Sequence, residues 1–400
     1  MKGSMKERSP GSWTLWIELP RDPVTHRRKQ KTLTVKGTKR QAQAELNRVL
    51  AEVQNGGFVN PSRLTTGAFL VRWLEDYARV NVAGRTFERY SEIIRAHLIP
   101  ALGSIPLSKL QPLHIQACHA RALQKGRLHG KGGLSPTTVV LHHRILREAL
   151  QQAVKWQLLP RNVCDSVEPP QRARVEMRAL NEAETVQLFL HARGSRMFAP
   201  IVLAVASGVR RGELLALRWS DVDLQAGRLT VCRSLEATKA GLAFKPPKTQ
   251  KGRRLPPLPA FAVRALGEHR RTQSDERRLF GKDYCDSDLV FALPDGQPIH
   301  PDHFSKWFVS LVRGVAGFPR VRLHDLRHTC ATLLLRQGVH PKIVSERLGH
   351  ATVAITLDTY SHVLPGMQED AVRRMDAALG AAMAPTRPAL PVPSALIREA

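Results

Sequence analysis

The sequence predicts an α+β protein, predominantly helical. A small N-terminal sheet-plus-helix domain comes first, then a helical domain, then a mixed, mainly helical domain with a small antiparallel sheet. Three observations carry this. Two strand-like runs lie before residue 36, residues 63–170 show helical periodicity throughout, and short alternating runs interrupt helical stretches from residue 228 onward. At 400 residues the chain exceeds one ordinary core, so two or three domains of ~100–200 residues each are expected.

The first strand is Trp13–Leu19 and the second runs through Lys31–Val35, separated by the polar turn Arg21-Asp22-Pro23. Thr38 opens a helix over Lys39–Gln54, which Asn55-Gly56-Gly57 closes. Arg27, Arg28, Lys29 and Lys31 sit on or beside the second strand and are candidate DNA contacts. Helices follow at Ala68–Val80, Thr86–Leu98, Gln111–Gln124 and Pro136–Leu158. Ser135 caps the last of these, and Val139, Leu146 and Ala153 share one face. Glu168-Pro169-Pro170 reads as a linker.

Beyond it Asn181 caps a helix through His191, and Met197–Ser207 is a buried helix. Arg228–Cys232 alternates as a strand, Phe244–Pro257 forms a basic hairpin, and helices resume after Phe291. The expected domains are 1–62, 63–168 and 172–383, with a disordered tail over 384–400.

The charge points to the partner. Lys and Arg number 61 against 34 Asp and Glu, a net charge of +27. The excess is +7 over residues 1–62, +8 over 63–170 and +12 over 171–400, so every domain is basic. Such a distribution suits a long polyanion, a long stretch of nucleic acid most simply. The five cysteines Cys118, Cys164, Cys232, Cys285 and Cys330 form no CxxC pair, which argues against zinc or a disulfide framework. No run approaches ~18 apolar residues, so no membrane partner and a cytoplasmic, nucleoid-associated location are expected.

The last third carries the chemistry. His324-Asp325-Leu326-Arg327, Leu348-Gly349-His350 and Tyr360 follow Gly208-Val209-Arg210-Arg211-Gly212-Glu213. Arginine donates two parallel hydrogen bonds to phosphate oxygens, so Arg210 and Arg327 are candidates to clamp a phosphodiester. A tyrosine hydroxyl, with an ordinary pKa of about 10, needs such a cationic pocket to attack it. Glu213 is a candidate orienting partner for Arg210. His324 and His328 are spaced like half of a metalloprotease helix, but Asp325 replaces the glutamate and no third ligand follows, so no metal is expected. No phosphate-binding GxxxxGK[ST] loop and no carboxylate cluster are present, so no cofactor is expected.

The ordered set Gly208-x-Arg210-x-x-Glu213, Pro247-Lys248-Thr249, His324-x-x-Arg327, Leu348-Gly349-His350 and Tyr360 closely resembles the tyrosine recombinase family, the phage integrases. Leu215–Asp223 and Asp325–Thr329 share the likeness, and the N-terminal domain is similar to the arm-site-binding domain of larger integrases. The resemblance implies integration or excision of a mobile element by a site-specific recombinase. Tyr360 would form a covalent 3′-phosphotyrosyl intermediate on DNA attachment sites. Arg210 and Arg327 would clamp the phosphate, Lys248 would protonate the leaving 5′-oxygen, His324 would take or return the tyrosine proton, and His350 would bond a phosphate oxygen. It also implies a homo-tetramer on DNA, and leaves room for a host DNA-bending protein or an excisionase. Type IB topoisomerase-like nicking and resealing, or a non-catalytic architectural role, remain alternatives.

Overall fold

In the computed structural model, residues 3–19, 29–54, 64–172, 177–246, 252–360 and 372–379 are described. The chain divides into two compact units, Met1–Val175 and Glu176–Ala400. The predominantly helical α+β class with small antiparallel sheets is the one observed.

The first unit begins with a three-stranded antiparallel sheet, β1 (Gly3–Ser9), β2 (Ser12–Leu19) and β3 (Lys29–Lys36). Its outer strand β1 was not foreseen. Lys6, Glu7 and Arg8 give it no apolar alternation, and pairing with β2 from Gly3↔Ile17 to Ser9↔Ser12 defines it instead. Helix α1 (Lys39–Gln54) covers one face, burying Ala42, Leu46 and Val49 against Leu15 and Ile17.

The helical part has its own core. Helix α2 (Thr66–Trp73) runs on through a π-helical turn at Leu74–Ala78, and α3 (Gly84–Ile93) through another at Ile94–Leu98. The adjacent pairs Trp73-Leu74 and Ile93-Ile94, at the start of each π turn, are all buried in the core. Helices α4 (Pro112–Lys125) and α5 (Pro136–Lys155) complete it. Ser135 caps α5 through the Thr138 amide, and Val139, Leu146 and Ala153 are buried.

The second unit is organised around an apolar helix. Asn181 and Glu184 form a capping box on α6 (Glu182–Ala192), and α7 (Phe198–Ser207) is buried from Ala199 to its end. Short α8 (Arg211–Leu215) leads to the two-residue pair β4 (Val222–Asp223) and β5 (Arg228–Leu229). The basic hairpin expected at 244–257 lies elsewhere. Strand β6 (Ser234–Thr238) pairs with β7 (Gly241–Lys245) across the two-residue turn Lys239-Ala240, with Gly241 at φ +118 opening β7, while Arg254 and Pro257 return to Val231 and Arg228. Helix α9 (Ala260–Phe280) was also unforeseen, since its core face is only Ala262, Ala265, Leu266 and Gln273. Helices α10 (Pro301–Arg313), α11 (Asp325–Arg336), α12 (Pro341–Leu348) and α13 (Val353–Tyr360) follow. Among the described residues no helix is long and apolar enough to cross a membrane.

Candidate active site

Helix α7 stops because Gly208 adopts φ +65, a left-handed cap that glycine takes without a Cβ penalty. A Cβ there would meet Leu348 Cδ2 at 2.4 Å. The chain then turns into α8 with Arg210 as its N-cap residue. Glu213, 5% exposed, accepts hydrogen bonds from the Arg210 amide at 2.9 Å and from its Nη1 at 2.8 Å. Its Oε2, which takes the Arg210 amide, also receives Arg254 Nη2 at 2.7 Å. Arg254 is itself buried and donates its Nε to the Arg347 carbonyl at 2.7 Å. One carboxylate thus holds two arginines.

Arg327 sits one turn into α11 and is 4% exposed. It donates Nη1 to the Gly208 carbonyl at 2.6 Å and Nη2 to the Leu348 carbonyl at 2.7 Å. Arg210 Nη2 donates to the next carbonyl along, Gly349, at 3.3 Å. Gly349 closes α12 in the left-handed conformation, φ +69, which turns these two successive carbonyls toward the two guanidiniums. The arginines are gathered by backbone oxygens that keep part of their forks occupied and leave the remaining donors for a ligand.

The same turn delivers His350, half-buried, with Nδ1 2.8 Å from Thr356 Oγ1. Helix α13 ends at Tyr360, 2% exposed, packed among Ala331, Leu335, Val344 and Leu348. Its hydroxyl lies 2.7 Å from Nδ1 of His328, which is also buried. His324 is the N-cap residue of α11, exposed, its ring edge-on to His328 at 5.1 Å between centroids. Tyrosine and the two histidines form a row from core to surface.

The electrostatics follow from burial among cations. Burial, then the charges of Arg210 and Arg254, lower Arg327 to about 10, still charged at neutral pH. Burial, then Arg327 and Arg210, push His350 down to about 4. Burial, then His324, brings His328 to about 4, and burial, then Arg327, lowers His324 as well. Tyr360 is pushed up to about 12 by burial, against the pull of Arg327. The resting site therefore holds neutral imidazoles, a protonated phenol and two fixed cations, ready for an anion.

Arg210, Glu213, His324, Arg327, His350 and Tyr360 are brought together from separate elements. Lys248 lies outside the described residues, as do Arg27 and Arg28. Lys29 and Lys31 are on β3, where only their backbone is described. Lys245, its near neighbour in sequence, is paired with Glu236 on the hairpin. Two residues escaped the sequence reading. Arg254 carries a signal in retrospect: Gly252, Arg254, Pro256 and Leu258 alternate as inward positions, so an arginine among them requires a buried partner. His328 is visible in the sequence as the i+4 partner of His324, where it is weighed only as a metal ligand; its pairing with Tyr360 is not legible there.

Two clustered arginines, three imidazoles and a buried phenol make a cationic pocket of the kind that suits an enzyme acting on a phosphodiester. Residues 176–366 match the Phage integrase family, and residues 65–121 match the phage integrase N-terminal SAM-like domain, together more than half of the chain. The chain belongs to the phage integrase family, the tyrosine recombinases, enzymes that cut and rejoin DNA strands. A XerC-like tyrosine recombinase of Caldanaerobacter subterraneus subsp. tengcongensis is 28% identical over 358 residues, covering 85% of this chain and 90% of that protein. In fold the chain is similar to the Tn1549 transposon integrase in complex with a circular intermediate DNA, with TM-score 0.67, 21% identity, and coverage of 78% of this chain and 99% of that one. It is also similar to a lambda integrase tetramer bound to a Holliday junction, with TM-score 0.52, 18% identity, and coverage of 88% and 94%.

Proposed function

We propose that this recombinase integrates or excises a mobile element by way of Tyr360. The observation that carries the reading is the clasp of Arg327 and Arg210 on the adjacent carbonyls of Leu348 and Gly349, in the same pocket wall that buries the tyrosine. A scissile phosphate between the guanidiniums meets donors that stay charged and need no reorganisation. Tyr360 oxygen bonds to phosphorus as the bond to the 5′-oxygen breaks, leaving a 3′-phosphotyrosine and a 5′-hydroxyl. Lys248 supplies the proton that the 5′-oxygen gains. The phenolic proton leaves on the histidine side, where His324 stands at the exposed end, and His350 bonds a phosphate oxygen. The bond energy stays in the ester, so the step reverses without ATP.

Residues 1–62, with Arg27, Arg28, Lys29 and Lys31, form the arm-site contact, 63–168 grip the core site, and 172–383 carry the chemistry. The working form is a homo-tetramer on two duplexes in the nucleoid of its host, with a host bending protein or an excisionase as accessory partners. Supporting this, Val372, Met375 and Leu379 on the helix at 372–379 are exposed apolar residues suited to docking on a neighbouring subunit. The relatives do not favour topoisomerase IB-like relaxation or an idle architectural role.

The test is Tyr360→Phe, which loses only a hydroxyl. Duplexes tiled across the DNA flanking the gene should still be bound but form no covalent adduct on a denaturing gel. An adduct with the Phe variant would place the nucleophile elsewhere.

A further inference from the structure

We propose that His328 is the group that receives the Tyr360 proton during strand cleavage, with His324 as its exposed neighbour. This deepens the reading above and rests on Tyr360 as the nucleophile. Among the described residues, His328 Nδ1 is the one hydrogen-bond partner of the Tyr360 hydroxyl, at 2.7 Å, and both residues are buried. No hydrogen bond joins that hydroxyl to His324 among the described residues, so the exposed histidine reaches the phenol only by way of the buried one.

The placement is rigid. His328 follows Arg327 on α11, so one helical turn positions both the phosphate clamp and the proton acceptor. Thr329, next along, ties that turn down by donating to the Asp325 carbonyl at 3.0 Å and accepting the Leu180 amide at 3.0 Å. The groups facing His328 are His324, Asp325, Arg322 and Arg327 from its own helix and the turn before it, His350 from the turn after α12, and Tyr360 from α13. Cations predominate, which keeps the imidazole neutral at neutral pH, and in its Nε2-protonated tautomer Nδ1 accepts the phenolic hydrogen bond.

A weak base suffices because of when it acts. As the O–P bond forms and the bond to the 5′-oxygen breaks, the phenol becomes an aryl phosphate ester, and any proton still on that oxygen turns strongly acidic. It passes along the existing hydrogen bond to Nδ1, while the 5′-oxygen takes its own proton from another donor. In resealing, the imidazolium returns the proton to the departing phenolate. His324, edge-on at 5.1 Å and exposed, links the new charge to water.

The experiment compares His328→Phe and His328→Asn with the parent and with Tyr360→Phe. Duplexes tiled across the flanking DNA, nicked so that the cleaved end diffuses away, report single-turnover adduct formation, and binding is titrated separately. Loss of a proton acceptor predicts a slowdown of about 10²–10⁴-fold for His328→Phe at neutral pH with unchanged binding. That loss should shrink as pH rises and solvent can take the phenolic proton. His328→Asn, which accepts a hydrogen bond but is not a base, should fall between Phe and the parent. The proposal fails if His328→Phe cleaves at the parental rate, if its loss is the same at every pH, or if Asn restores full rate. If His328→Phe does not fold, the pH profile of His328→Asn decides by the same outcomes. An adduct with Tyr360→Phe would instead sink the nucleophile assignment.

Discussion

Removing the Glu213 carboxylate tests the architecture of the site most directly. Glu213 is 5% exposed and binds the Arg210 amide and Nη1 and the Arg254 Nη2, all at 2.7–2.9 Å. In Glu213→Ala the buried Arg254 loses its anion, and breaking a buried pair from one side costs about 3–5 kcal/mol. For a unit of this size each kcal/mol shifts the midpoint by roughly 2–4 °C, so melting followed by circular dichroism should fall by roughly 6–20 °C. Replacing both partners, Glu213→Leu with Arg254→Met, should recover most of that loss, because no unpaired charge remains. Cleavage should not recover, since Arg210 still lacks its orienting carboxylate. The expected deficit is that of one misplaced transition-state donor, about 10²–10³-fold. Acid adds a check. Burial alone would raise the Glu213 pKa, but hydrogen bonding and charge from Arg254 and Arg210 outweigh it and hold the group below the ordinary carboxylate range. Its contribution is therefore present above about pH 4.3 and lost as pH falls through the lower folded value, and Glu213→Gln should lack that loss. A Glu213→Ala drop under about 1 kcal/mol, or a double variant as unstable as the two singles summed, would refute the reasoning.

Two further outcomes are expected. Gly208→Ala forces a Cβ to 2.4 Å from Leu348 at φ +65, so it should cost about 1–3 kcal/mol in strain and slow cleavage by shifting the carbonyls that hold Arg327, read as melting midpoint and adduct rate together. In the helical part, His119, His142 and His143 are buried, and His119 Nδ1, His142 Nε2 and His143 Nδ1 have no hydrogen-bond partner among the described residues. Burial, then neighbouring histidines, lowers His119 and His142 to about 4. Their contribution is whole above the ordinary value near 6.5 and falls away between there and the folded value, as the unfolded chain takes up protons. The unfolding free energy from urea titration should therefore drop on acidification from neutral pH, by up to about 3 kcal/mol per histidine, and His142→Leu should flatten the dependence.

What could be read from the sequence is what is local. Ser135 and Asn181 announce their helices by capping chemistry, and Val139, Leu146 and Ala153 announce a face by spacing. Strand β1 could not be read, because its partner strand creates it, nor α9, whose buried face is only Ala262, Ala265, Leu266 and Gln273. The site divides along the same line. Arg210, His324, Arg327, His350 and Tyr360 stand out as residue types, yet their convergence is produced by groups without distinctive side chains: the carbonyls of Gly208, Leu348 and Gly349, and two glycines at positive φ. A reader of motifs sees Leu348-Gly349-His350 as the frame around one histidine. In the folded chain the carbonyls of that leucine and glycine hold both guanidiniums, so a side chain at Gly349, whose φ is +69, should alter phosphate binding by shifting them. Arg254 and His328 belong to the same class of hidden parts: each acts through a partner far away in sequence, Glu213 or Tyr360, and distance along the chain gives a sequence reader no reason to join them.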